Sequence, residues 1–157
     1  MSLRYTTTTG GPAIVLTEPA IEIKMQYRQL GSHHREAGGQ LFARFVGVNT
    51  EIIEATKPKL LDRRSRYDFR PNRWLQQLEI RDRYKKGLHF VGDWHSHPEN
   101  CPQPSKEDID SMFECFTLSY HELRAFVMVV VGREPAPGGL YVALVKEGSI
   151  LTLILDK

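Results

Sequence analysis

Cysteine is scarce in this chain: Cys101 and Cys115 are the only two among 157 residues. They can form at most one bridge and make no Cys-x-x-Cys pair, so a reducing, cytoplasmic location is the expectation. No apolar run approaches the roughly 18 residues that a membrane span requires. The opening "MSLRYTTTTGG" lacks the basic-then-apolar order of a secretory leader. Internal repeats and low-complexity segments are also missing. Neither sign of charge dominates, since the formal net charge is +2. Hydrophobic residues at 41% and charged residues at 25% match the soluble globular average, which disfavours both a disordered and a membrane class. The length suits one domain with one core. A single domain over residues 1–157 is therefore expected, with residues 1–10 flexible.

Periodicity supplies the elements. "AIVL" at 13–16 suggests a short strand, and Thr17-Glu18-Pro19 opens a helix whose apolar positions Ala20, Ile23, Tyr27 and Leu30 carry it to Gly31. Residues 38–56 suggest a β-hairpin turning at Val48-Asn49, and 57–70 a polar, basic connection. A helix over 71–86 is expected to share an apolar face of Trp74, Leu75 and Leu78 and to stop at Gly87. "LHFVGDWHSH" reads as a buried strand. A helix from Ser105 follows, with Ile109, Met112, Phe113 and Phe116 on one face. Three strands close the chain, from "RAFVMVVVG", "GLYVALVKEG" and "ILTLIL". The order β-α-β-β-α-β-α-β-β-β implies an α/β (α+β) class, with a mixed central sheet flanked by helices.

The chemistry concentrates in "GDWHSHPENCPQPSKEDID", residues 92–110. Residues two apart on a strand face the same way, about 6.6 Å apart, so His95 and His97 can share one ion at bond lengths of about 2.0–2.1 Å. Asp108 is the best third ligand, because the proline-broken loop 98–104 can return the first turn of the next helix to the strand end. Three protein ligands leave a zinc position open for water. Glu36 precedes the first strand of the hairpin and is the carboxylate chosen as the base. Ser105 is placed to donate a hydrogen bond to an oxyanion.

Glu36, then His95-Ser96-His97, seven residues, Ser105, two residues and Asp108 resemble the JAMM motif of the MPN/JAB metallopeptidases, with every position at its spacing. Pro98, Gly38-Gly39 and the element order also fit, so the resemblance spans nearly the whole chain. It implies a cytidine-deaminase-like MPN/JAB fold. His95, His97 and Asp108 become ligands of one Zn2+, Glu36 the general base and acid, and Ser105 the stabiliser of the tetrahedral intermediate. The implied partners are the C-terminal tail of a ubiquitin-like protein and the target conjugated to it. The motif region is most similar to the short bacterial branch that includes deconjugating peptidases of CBASS anti-phage operons.

Other readings compete with these. Ser-x-x-acid before an apolar helix is also a capping box, and the two roles are partly compatible. Among the other free carboxylates, Glu18, Glu22 and Glu51, only the family pattern singles out Glu36. Strand alternation turns Ser96 away from the metal, so it receives no role. His-x-Glu at 97–99 suits a zinc deaminase, but that class also needs a downstream Pro-Cys-x-x-Cys. A non-catalytic MPN-type scaffold would lack ligands, and none is missing here. Cys101 as a nucleophile is disfavoured. Residues 63–86 hold nine Arg or Lys against three acids; a solvated face, or a dock for an acidic protein partner or a substrate tail, is expected rather than nucleic acid, and no membrane.

Overall fold

The computed structural model describes residues 1–8 and 10–157. Its elements run β1 (Leu3–Thr6), β2 (Ile14–Leu16), α1 (Glu18–Gln26), β3 (Gly38–Val46), β4 (Asn49–Ala55), β5 (Arg63–Arg64), β6 (Phe69–Arg70), α2 (Arg73–Lys85), β7 (His89–Ser96), α3 (Lys106–Leu118), β8 (Phe126–Val131), β9 (Leu140–Lys146), β10 (Ser149–Thr152) and β11 (Ile154–Leu155). Nine strands form one mixed sheet in the order β10-β9-β8-β7-β3-β4-β2-β1-β11, and β5 with β6 make a separate ribbon. The class expected from periodicity is the class observed.

Alternation along β8 shows how the sheet divides two cores. Val127, Val129 and Val131 belong to the cluster that takes in Ala20 and Ile21 of α1. Phe126, Met128 and Val130 face the other way, onto Met112 of α3. A strand buried on both faces between helices reads as a continuous apolar run, as "FVMVVV" does. On the α3 side the rings of Phe42, Phe90 and Phe126 meet edge to face, and α2 joins them where Arg83 lies over the Phe42 ring.

The two edges of the sheet are consecutive in sequence. β10 pairs with β9 at one edge, β11 pairs with β1 at the other, and only Leu153 stands between them. Leu153 is buried, and its N–H still reaches the Val142 carbonyl. The sheet therefore curls almost into a barrel. "ILTLIL", expected as one strand, is two strands serving opposite edges.

Four more expectations are corrected. Residues 3–6, expected within a flexible terminus, form β1, because alternating Leu3 and Tyr5 are buried in the core. α1 stops at Gln26, with Tyr27 as its cap, short of Gly31; Gln29 leaves the helix to bury its amide among polar partners. The hairpin turn shifts by one residue to Gly47-Val48, where Gly47 adopts φ +61°. On α2, Trp74 is 71% exposed. The helix is held instead by polar contacts, a forked Arg83–Glu54 pair and Lys59–Glu79.

Candidate metal centre

A bulge in β7 aims the strand at the site. Leu41 pairs with Gly92 but Phe42 with Phe90, so Val91 is an extra residue. It points into the α1-side core while Asp93 and His95, beyond the bulge, line the cleft between α2 and α3. Such a bulge re-aims every later side chain on the strand. Gly92 permits it: a Cβ there would sit 1.9 Å from the Val127 carbonyl oxygen. Strand pairing then delivers the glutamate. β3 runs antiparallel to β7 with Gly38 opposite His95, and Ser96 N–H donates to the Ala37 carbonyl at 2.8 Å. The same register sets Glu36 beside His97, whose Nε2 lies 3.9 Å from Glu36 Oε1.

α3 supplies the aspartate. Ser105 is its N-cap: Ser105 Oγ accepts the Asp108 N–H at 3.1 Å, and Asp108 Oδ2 accepts the Ser105 N–H at 2.8 Å. That Oδ2 also lies 3.0 Å from His95 Nε2 and 3.0 Å from His97 Nε2. Capping and clustering are thus done by one carboxylate, and the capping box fixes its direction. Ligand atoms of Glu36, His95, His97 and Asp108 all lie within 4.8 Å of one another. All four residues anticipated around the ion come together, and Ser105 adjoins them through the cap.

The donors suit a cation. His95 Nε2 is buried and makes no hydrogen bond, although the Asp108 oxygen is 3.0 Å away. The two atoms are close without a shared proton aligned between them, as two donors converging on a common centre would be. Metal bonds of about 2.0–2.1 Å in tetrahedral geometry hold neighbouring donors about 3.3 Å apart, close to what is seen. Two imidazoles and a carboxylate can hold a metal here, with Glu36 at its edge.

The electrostatics agree. Burial alone would raise the Asp108 pKa, but the imidazoles of His95 and His97 and the Ser105 N–H hold it well below the ordinary carboxylate range. Burial disfavours the charged form of His97, yet Asp108, Glu36 and Glu99 together raise its pKa to about 9. Burial raises Glu36 to about 7 against the pull of His97, helped by the charges of Asp108 and Asp68. Protons are thereby drawn onto His97 and Glu36, and a cation bound among these groups would displace them.

Two contributors were not anticipated. Glu99 Oε1 lies 3.0 Å from His97 Nδ1. Its signal was the His-Pro-Glu spacing, read only as a deaminase feature; the carboxylate is on the ring nitrogen opposite the cluster. Ser96 does point away from the cluster, but its Oγ accepts the Ala37 N–H at 2.8 Å and donates to Gln29 Oε1 at 3.0 Å. Gln29 Nε2 donates in turn to the Arg66 carbonyl, so a buried chain of hydrogen bonds fixes the residue next to Glu36. The basic ribbon leans on the same glutamate. Glu36 N–H donates to the Ser65 carbonyl at 2.5 Å, and Arg64 Nε to the Glu36 carbonyl at 3.0 Å.

Fold and site together define a JAMM-type peptidase of the JAB class. A profile of the family described as prokaryotic homologs of the JAB domain matches residues 19–143, and the chain belongs to that family. It is 33% identical over 126 residues to a protein named CD-NTase/cGAS isopeptidase from Enterobacter hormaechei subsp. hoffmannii, covering 78% of this chain and 69% of that one. A protein of the same name from Pseudomonas aeruginosa is 29% identical over 142 residues, 87% of each chain. The solution structure of protein DSY2949 from Desulfitobacterium hafniense shares the fold, with a TM-score of 0.62, 24% identity and 87% of each chain covered. Among the described residues no helix is long and apolar enough to cross a membrane.

Proposed function

We propose that this chain is a zinc-dependent isopeptidase that hydrolyses the bond after the C-terminal tail of a ubiquitin-like modifier, reversing conjugation to a CD-NTase in anti-phage defence. The names of its relatives support the conjugate as the substrate. The observation that carries the chemistry is the convergence of Glu36, His95, His97 and Asp108 within 4.8 Å. His95, His97 and Asp108 would hold the zinc, matching the three protein ligands of a catalytic site. Zinc would supply a Lewis acid that polarises the scissile carbonyl and acidifies water.

The chain's own groups do the rest. Glu36, buried beside His97, takes a proton from the attacking water and passes it to the leaving amine as the carbon–nitrogen bond breaks. Ser105 gives the helix only a lone pair, so its hydroxyl proton is left to donate to the oxyanion. The deaminase alternative asks Glu99 to be the acid and base, but that carboxylate faces His97 Nδ1.

The test offers the zinc-loaded chain a lysine-linked ubiquitin-like conjugate. Cleavage is expected, and Glu36→Gln should slow it by about 10² to 10⁴ while retaining zinc. Cleavage that persists in Glu36→Gln, or after complete chelation, refutes the mechanism.

A further inference from the structure

We propose that Glu99 is a positioning residue: by accepting the Nδ1 proton of His97 it turns the lone pair of Nε2 toward the metal. This rests on reading the cluster as a metal centre.

A neutral imidazole carries one proton on two nitrogens, and whichever nitrogen donates leaves the other free to ligate. Each nitrogen of the His97 ring faces one carboxylate. Nδ1 is 3.0 Å from Glu99 Oε1 on one side, and Nε2 is 3.0 Å from Asp108 Oδ2 on the other. A carboxylate on the far nitrogen of a ligating histidine fixes both its tautomer and its ring orientation, and raises its basicity.

The backbone makes this contact a built one. His97 N–H donates to the Val131 carbonyl at 2.9 Å, Arg133 N–H to the Glu99 carbonyl at 2.7 Å, and Glu134 N–H to that of Asn100 at 3.3 Å. The turn carrying Glu99 is thereby laced onto the end of β8. Gly132 makes room for it: a Cβ at 132 would come within 2.5 Å of the Glu99 carbonyl oxygen and 2.6 Å of that of Asn100. The Arg133 carbonyl in turn accepts from Arg28 Nη1 at 3.0 Å, which ties the lacing to the segment after α1. Yet the Glu99 side chain is 48% exposed, so truncating it leaves no core cavity. A framework this constrained around a half-exposed carboxylate is what aiming a neighbouring ring requires.

The experiment measures zinc affinity of the full-length chain by competition with a chromophoric chelator, and the protonation of the His97 ring by nitrogen NMR. Glu99→Ala should weaken zinc by about 10- to 100-fold and abolish the hydrogen-bonded Nδ1 proton signal. Glu99→Gln keeps an acceptor oxygen and should fall between Glu99→Ala and the unmodified chain. Gly132→Ala changes no charge but pushes the turn away, and should also weaken zinc. Equal zinc affinity in Glu99→Ala and the unmodified chain overturns the proposal. An unmodified chain that binds no zinc overturns instead the metal reading beneath it.

Discussion

Asp108 shows how one carboxylate can serve both stability and chemistry. Its Oδ2 closes the capping box with Ser105 and faces both imidazoles, so capping and ligation are not rival explanations of Ser-x-x-Asp. The proposed mechanism gives Ser105 a matching double duty, and substitutions separate its halves. Alanine at an N-cap costs about 1 kcal/mol and glycine only a few tenths, whereas either removes the hydroxyl. Ser105→Ala and Ser105→Gly should therefore lose about 10² or more in kcat alike, while denaturant unfolding shows a clear stability loss only in Ser105→Ala. Parallel losses of stability and rate in the two variants would reduce Ser105 to a cap. At this scale the cluster was legible, because the residues that converge stand at fixed offsets in sequence. Glu99 was not, since nothing in His-Pro-Glu says which ring nitrogen the carboxylate meets; the lacing to Arg133 and Glu134 decides that.

The elements were legible where burial and periodicity agree, as in β8 and α3, and illegible where polar contacts decide. α2 is the clearest case: its apolar Trp74 faces solvent while Arg83 and Glu79 make the attachments. α1 inverts expectation in another way, for Lys24 is fully buried, with its Nζ donating to the Ala20 carbonyl at 2.5 Å. Burial lowers its pKa to about 7, against about 10.4 in an unfolded chain. Between those values the unfolded chain binds a proton that the folded chain releases. Raising the pH from 7 toward 10 therefore favours folding, with a limiting slope of about 1.4 kcal/mol per pH unit; below pH 7 the full cost of burying the charge remains. Lys24→Met should be more stable at pH 7 and lose this slope. Urea unfolding at pH 7, 8 and 9 checks it, and identical pH dependence in both proteins would count against a neutral Lys24.

At the scale of the molecule, the centre is assembled from three places in the chain: the segment entering β3, the end of β7 and the first turn of α3. Long-range pairing brings them together, with Gly38 opposite His95 near the middle of a sheet whose outer strands are β10 and β11. The order of the main helices and strands is visible in sequence, but β1, the β5–β6 ribbon, register and closure are not. The Val91 bulge that rephases β7 depends on a carbonyl of Val127, 36 residues away in sequence, and a split at Leu153 depends on which edge each half can reach. The most direct measurement is anomalous diffraction at the zinc edge from crystals of the zinc-loaded chain. One peak is expected, about 2.0–2.1 Å from His95 Nε2, His97 Nε2 and an Asp108 oxygen. A folded chain with no peak there, or with zinc bound only elsewhere, would remove the metal centre and the hydrolysis built on it.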